Sequence, residues 1–530
     1  MLNTFKHKVL FVCIINLIIG FAYYLNYSDA TYSMLSSDIQ NIIPVAQKFD
    51  NQELFKNDLY LNTLDNVRYY TPFYVQSLRF VAKFTNQDYV QALNVIGCIF
   101  HILFGVLWFF LLYKFTDNFL VSLIISILIR GLIWLPGYEI WGITGLWSIM
   151  PRTLYIALMP LPFLFLSNKF RSLLFGAFFA GLIFNFHPIT GLGGILLFCV
   201  LLLCIAVFYN EKALVTVKNI FFVFIAIGIG MLPFIYSYFG KTESSLTYDL
   251  QLYNNAFNER IPLVFSEPIQ FLKQWLQLKT LFFVLPLFGY LFVSRNDIEH
   301  FKKAKTLALC TLLLIIIPSL SVYIENFINS TFGLNLRMSF QLIRMQKVAI
   351  VPSYFAIAFL LVFILSKSQK LKTLLPYIFI FFISVLVICK APVFNKVPFV
   401  GDDLMRCILP NNISVGSIDE KRLSDYDNMA EFVSKSTPAN TVIYGSHFFR
   451  GATKRAVVLD SKGASMIIEG NPIQFIKWYE DVIKLEELTT EEDKIKFLKQ
   501  LKVTHIITTK TYQTLNVIHS EHALKLYKIE

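Results

Sequence analysis

Apolar runs of roughly 17–25 residues recur along the first three quarters of the chain, each long enough to cross a hydrocarbon core of about 30 Å as a helix. They predict about eleven spans. The spans fall near residues 9–26, 91–113, 118–136, 152–167, 172–188, 189–209, 219–239, 280–294, 306–324, 346–366 and 373–390. The fifth and sixth are split at HPITG, where Pro188 and Gly191 interrupt a helical pattern. A long loop, 27–90, follows the first span. Within it, DIQNIIPVAQKF sets Ile39, Ile42, Ile43 and Ala46 on one helical stripe, with Asp38 in the first turn.

The pattern changes near residue 390. The tail alternates short apolar strands, NTVIYGS (440–446), RAVVLDS (455–461), THIITTK (504–510) and the terminal ALKLYKIE, with helical segments at 425–438, 472–488 and 490–503. That alternation predicts a small, mostly parallel sheet. The expected fold class is therefore mainly α: a polytopic membrane helix bundle over 1–390, including the outer loop 27–90, followed by a small α/β domain over 391–530.

Composition agrees. The 530 residues are 55% hydrophobic and 15% charged, with a mean hydropathy of +0.57; a typical soluble domain carries about 25% charged residues. The net charge of +12 is placed so as to exclude a nucleic-acid partner. Lys and Arg balance Asp and Glu beyond residue 390, and the excess sits in short links between spans, at Lys6, Lys8, Lys114, Lys169, Arg171, Lys212, Lys218, Arg295, Lys302, Lys303, Lys305, Lys367, Lys370 and Lys372. All these links fall on one side if the N-terminus is cytoplasmic, so the α/β tail is expected outside, on a cytoplasmic (inner) membrane. The first span ends in YYLNYSDA, a poor cleavage site, and is expected to remain as an anchor. Six of the seven cysteines lie in apolar runs and only Cys407 lies outside one, so neither a disulfide framework nor a zinc site is indicated. No phosphate-cradling glycine motif is present.

Ionisable residues at membrane depth are expensive and are functional candidates by default. On this topology Asp38, Asp58, Asp65, Glu139, Arg152, His187, Arg344 and Lys347 all reach the outer boundary. Arg130, inside the third span, could pair across the bundle, reach a phosphate, or extend its stem toward an interface. The mixture suits sugar transfer from a lipid phosphate. A loop carboxylate such as Asp38 can take the acceptor's proton, Arg152 and Arg344 are planar donors for the departing phosphate, and His187 can hydrogen-bond phosphate or sugar. Each has a plainer reading: a surface acid, a helix-end histidine, interface anchors.

The order of these pieces resembles the GT-C class of polytopic glycosyltransferases. The resemblance rests on SSDIQNIIPVAQKF and ELFKNDLYL in the first loop and on MPRTLYIALMPLPFLFL (150–166). It also rests on the glycine-rich hairpin GAFFAGLIFNFHPITGLGGILLF (176–198), on QLIRMQKVAIV (341–351), and on AEFVSKSTPANTVIYGS and KRAVVLDSKG in the tail. It implies a polyprenyl-phosphate-linked sugar as donor and a glycan, lipid or protein as acceptor. It also implies Asp38 as catalytic base, and Arg152, His187 and Arg344 near the donor phosphate. Many members carry paired acids in the first loop; here Asp38 stands between serine and isoleucine. A second acid or metal ligand would be Asp58, twenty residues on, or Glu139. The cofactor is left unknown, with a divalent metal possible but not indicated. Other classes stay open: a glycan polymerase or ligase, a transporter, or a membrane protein that keeps the fold without the chemistry.

Overall fold

The computed structural model describes residues 5–67, 70–130, 142–143, 145–240, 247–388 and 424–529. The chain divides into two compact units, one formed by 1–27, 95–233 and 263–417, the other by 28–94, 234–262 and 418–530. Residues 28–90 of the outer loop, grouped with the spans by chain order, thus fall in the second unit by their contacts. The boundary expected near 390 lies outside the described residues, as do Cys389, Cys407 and Glu139.

The first unit is a helix bundle, and every predicted span contains a helix. Among the described residues, six helical stretches are long and apolar enough to cross a membrane: Phe5–Asn26, Tyr89–Thr116, Pro188–Phe208, Val217–Phe239, Ile298–Phe332 and Ser339–Lys367. Phe119–Leu128, Phe170–Phe184 and Phe283–Val293 are shorter apolar helices. The fourth span is broken into Pro151–Leu158 and Pro160–Leu164, because Pro160 and Pro162 remove amide donors from the ladder. The carbonyls freed at its end are not left bare: Lys114 Nζ donates to Leu164 O at 2.8 Å and Leu166 O at 2.6 Å. The ninth span is part of a 35-residue helix, Ile298–Phe332, closed by Gly333 at φ +65°; a glycine adopts that left-handed cap at no steric cost.

Two buried polar side chains tie helices of this unit together. Gln346 accepts from Trp275 Nε1 at 2.9 Å and donates to Ser319 Oγ at 2.6 Å and Ile315 O at 3.0 Å. Arg130 is fully buried, donating to Asn16 Oδ1 at 2.5 Å and the His101 carbonyl at 3.0 Å, with its guanidinium over the Phe104 ring. It points into the bundle and pairs across it with neutral acceptors, so it does not reach toward an interface.

Close helix approach accounts for the glycines of the hairpin. A Cβ on Gly181 would lie 2.0 Å from the Ile227 carbonyl, and one on Gly230 would lie 2.4 Å from that of Phe178. Asn185 Nδ2 donates to Gly230 O at 2.9 Å across the same seam. Small residues at such seams let backbones touch where there is no hydrophobic drive between helices. Gly181→Val is expected to lower stability by about 1–3 kcal/mol or more by overpacking, read as a lower Tm of the full chain in detergent; an unchanged Tm contradicts this packing.

The second unit holds a five-stranded sheet: β1 Val442–Tyr444, β2 Ala456–Val458, β3 His505–Thr508, β4 Val517–Glu521 and β5 Leu524–Lys528, in the order β2-β1-β3-β5-β4. β1 pairs with β2 and β3 in parallel, with Ile443 opposite both Val457 and His505. The sheet is mixed, not mostly parallel, because β5 runs antiparallel to both β3 and β4. One face of the sheet packs Ile443, Val457 and Ile507 on Met429, Val433, Phe448 and Phe449. The other packs Val442, Val458 and Ile506 on Ile495 and Leu498. The helix Ser37–Asp50 joins this unit through its apolar stripe, with Ile39, Ile43 and Ala46 fully buried. Gln47 Nε2 donates to Gly451 O at 3.0 Å, and Asn41 Nδ2 donates to Lys462 O at 3.0 Å.

Candidate functional site

Asp38 stands in the first turn of Ser37–Asp50, whose N-cap Ser36 accepts from Ile39 N through its hydroxyl. An acid there is favoured by the unpaired amides and the helix dipole. The carboxylate is 44% exposed and meets Lys462 Nζ at 2.7 Å. It is therefore accessible, yet fixed in direction by a cation from the first turn of helix Ser461–Ile467, which follows β2. Arg260, at the end of helix Leu250–Arg260, is the second cation here. It donates to Ser461 O at 2.6 Å and Ser465 Oγ at 3.1 Å. Burial pulls Arg260 below the usual guanidinium range, and Asp38 and Asp460 partly restore it.

The turn after β2 is anchored by a buried ion triad. Arg450 is fully buried, its Nε 2.8 Å from Asp58 Oδ2 and its Nη2 2.5 Å from Asp460 Oδ1, with the guanidinium over the Tyr60 ring. Burial alone would lower Arg450, but Asp460 and Asp58 more than reverse that, so it stays charged. Asp58 also accepts from the backbone amides of Tyr60, Leu61 and Val457. Its oxygens are consumed by a guanidinium and three amides, which fits a structural ion pair and not an open metal ligand or second catalytic acid. Among the described residues no group of three His, Cys, Asp or Glu side chains could hold a metal ion. Asp65 is exposed, its backbone amide donating to Thr63 Oγ1 at a 3₁₀ turn.

His447, after β1, is a member of this neighbourhood that the sequence did not single out. Its ring bonds the Ser37 backbone, next to Asp38. Burial lowers its proton affinity; Asp460 raises it, and Arg450 and Lys462 lower it further. The folded form therefore takes up a proton at lower pH than the unfolded chain, whose histidine titrates near ~6.5. Stability from this group is present above that value and is lost as pH falls through it toward the folded-state pKa. The expected result is a Tm that declines between pH 7.5 and 5.5, with a shallower decline in His447→Asn. Equal slopes in the two proteins contradict it.

The three basic residues lie in the first unit. His187 caps helix Pro188–Phe208, its Nδ1 accepting from Thr190 N at 3.1 Å. Nδ1 is thereby an acceptor, which leaves the neutral ring its proton on Nε2. Arg152 sits in the first turn of Pro151–Leu158 beside Met150 Sδ. Arg344 opens the 3₁₀ stretch Ile343–Ala349, donating to Gln341 Oε1 at 3.1 Å with its guanidinium over Phe265. Lys347 is buried in the same stretch. Glycines bring these elements together. A Cβ on Gly194 would meet Tyr155 Oη at 1.8 Å, and one on Gly193 would meet Val348 at 2.5 Å and Met345 O at 3.0 Å. The helix capped by His187 thus packs directly on the elements that carry Arg152 and Arg344.

No family model matches the chain, and no curated protein matches it. Among solved structures it is similar to a crystal structure of ArnT from Cupriavidus metallidurans bound to undecaprenyl phosphate. The TM-score is 0.54 over 99% of this chain and 98% of that one, at 9% identity. The fold is GT-C-like. The likeness spans both the helices and the α/β tail, and the fold together with the long apolar helices is that of a multi-pass membrane protein.

Proposed function

We propose that the chain is an integral membrane glycosyltransferase that moves a sugar from a polyprenyl-phosphate donor to a glycan, lipid or protein acceptor outside the cytoplasm. The observation that carries this reading is the full-length likeness to a structure that holds undecaprenyl phosphate. In the proposed reaction the acceptor hydroxyl attacks the sugar's anomeric carbon, its proton passes to the Asp38 carboxylate, and the lipid phosphate departs with the electrons of the broken C–O bond. Lys462 orients the carboxylate at 2.7 Å. Arg152 and Arg344 receive the phosphate, and the His187 cap holds the helix between them. The N-terminus is cytoplasmic and the α/β tail outside, on a cytoplasmic membrane. A hydrogen bond to a charged group contributes about 1.5–3 kcal/mol. Arg152→Ala and Arg344→Ala should therefore each weaken undecaprenyl phosphate binding about tenfold or more, measured with purified protein in nanodiscs. Unchanged affinity in both variants sinks the phosphate assignment.

A further inference from the structure

The carboxyl end of the sheet carries a second feature that the transfer chemistry does not use. The connection leaving β1 runs through helix Phe448–Thr453 on one face, while that leaving β2 leads to helix Glu491–Gln500 on the opposite face. Where adjacent parallel strands send their connections to opposite faces, a crevice opens outside their carboxyl ends, and α/β sheets bind ligands there. Here the crevice is a cavity of about 330 Å³ at the ends of β1, β2 and β3, within the size range of small-molecule sites.

Its chemistry is specific. Among the described residues no charged side chain lines it. Hydroxyls come from Ser446, Thr508 and Thr509 and phenols from Tyr426 and Tyr444. Tyr426 is 40% exposed yet held flat against Phe449, ring centroids 5.6 Å apart at 18°. Ser446 Oγ accepts from Phe448 N and Thr508 Oγ1 from Lys510 N, so what these side chains offer a guest is their O–H donors; an anion would find no cation among the lining side chains, and an apolar guest would leave those donors unused. A ligand with hydroxyls on its edge and C–H groups on its face satisfies both the hydroxyls and the aromatic ring. The backbone shows strain at the same place: Leu459, in the lining, has φ +64°. That conformation is an outlier for a bulky residue and tends to persist at ligand sites.

We propose that this crevice binds an uncharged saccharide. Asp38 does not line this cavity and the proposal does not require transferase activity, so occupancy is read by binding alone. The probes are methyl glycosides of glucose, galactose, mannose and N-acetylglucosamine, with glucuronic acid and uridine as anionic and nucleoside controls. Saturation-transfer NMR is recorded on the full chain in nanodiscs. At least one neutral glycoside should bind wild type and Asp38→Asn alike, and should protect the backbone at 444–446 and 508–509 from hydrogen exchange. Thr508→Val, which keeps the side chain's shape, and Tyr426→Ala should each weaken it about tenfold, the value of one lost hydrogen bond or ring contact. The proposal is overturned if no neutral glycoside binds, if protection appears elsewhere, if either control binds in the crevice instead, or if Thr508→Val binds as well as wild type.

Discussion

Arg450→Met should destabilise the second unit by about 3–5 kcal/mol, the cost of removing one partner of a buried ion pair. Methionine keeps much of the length and all the apolar bulk, so the loss is electrostatic. Asp58 and Asp460 would remain as carboxylates, Asp58 completely buried, with no cation between them. The loss should spread along the segment after β2, because Arg450 also donates to the Val457 carbonyl and is the cation between the Asp58 and Asp460 carboxylates. Hydrogen exchange on the full chain in detergent should therefore quicken across residues 442–463. Adding Asp58→Asn to Arg450→Met should recover part of the loss, since it removes one stranded charge. Exchange equal to wild type in the single variant contradicts the triad's role.

The other large effect belongs to Asp38. Asn preserves its size and its place in the helix but cannot accept a proton. Removing a positioned general base typically costs 10²–10⁴-fold in rate. Purified Asp38→Asn should release lipid phosphate from a polyprenyl-phosphate sugar slower by about that factor while still binding undecaprenyl phosphate like wild type. Lys462→Met should cost less, because it disturbs the direction of the carboxylate and leaves the base in place. If both variants turn over at the wild-type rate, Asp38 is not the base.

The bundle was legible because each span must bury its backbone bonds internally and so writes itself as a long apolar run. Proline placement also foretold the break at Pro188, though not the break of the fourth span at Pro160. The tail's three parallel strands were legible as short apolar runs. The hairpin partner β4, VIHSE, was not, because it is half exposed and only its first two residues are apolar. The helices Phe448–Thr453 and Ser461–Ile467 are too short to show a period.

The candidate site was legible only in part. Asp38 could be singled out by its position after the first span. Its partner Lys462 lies 424 residues away, and nothing local ties the two together. The same distance problem hid His447 and made Asp58 look like a catalytic acid: from sequence alone Asp58 is a loop carboxylate, and only the arrival of Arg450 from 392 residues on shows what it pairs with. Arg130 was visible as an arginine in a span, but its acceptors, Asn16 and a backbone carbonyl, carry no sequence signature.

The most direct test of the central claim is made in the host cell. The gene is deleted and restored either as wild type or as Asp38→Asn, with membrane levels matched, and surface glycans and lipid-linked sugars are read by mass spectrometry. The expected result is that deletion removes one sugar, that wild type returns it, and that Asp38→Asn does not; the missing mass then names the sugar. Full restoration by Asp38→Asn would contradict the base assignment, and a deletion that alters no glycan would contradict the transferase reading itself.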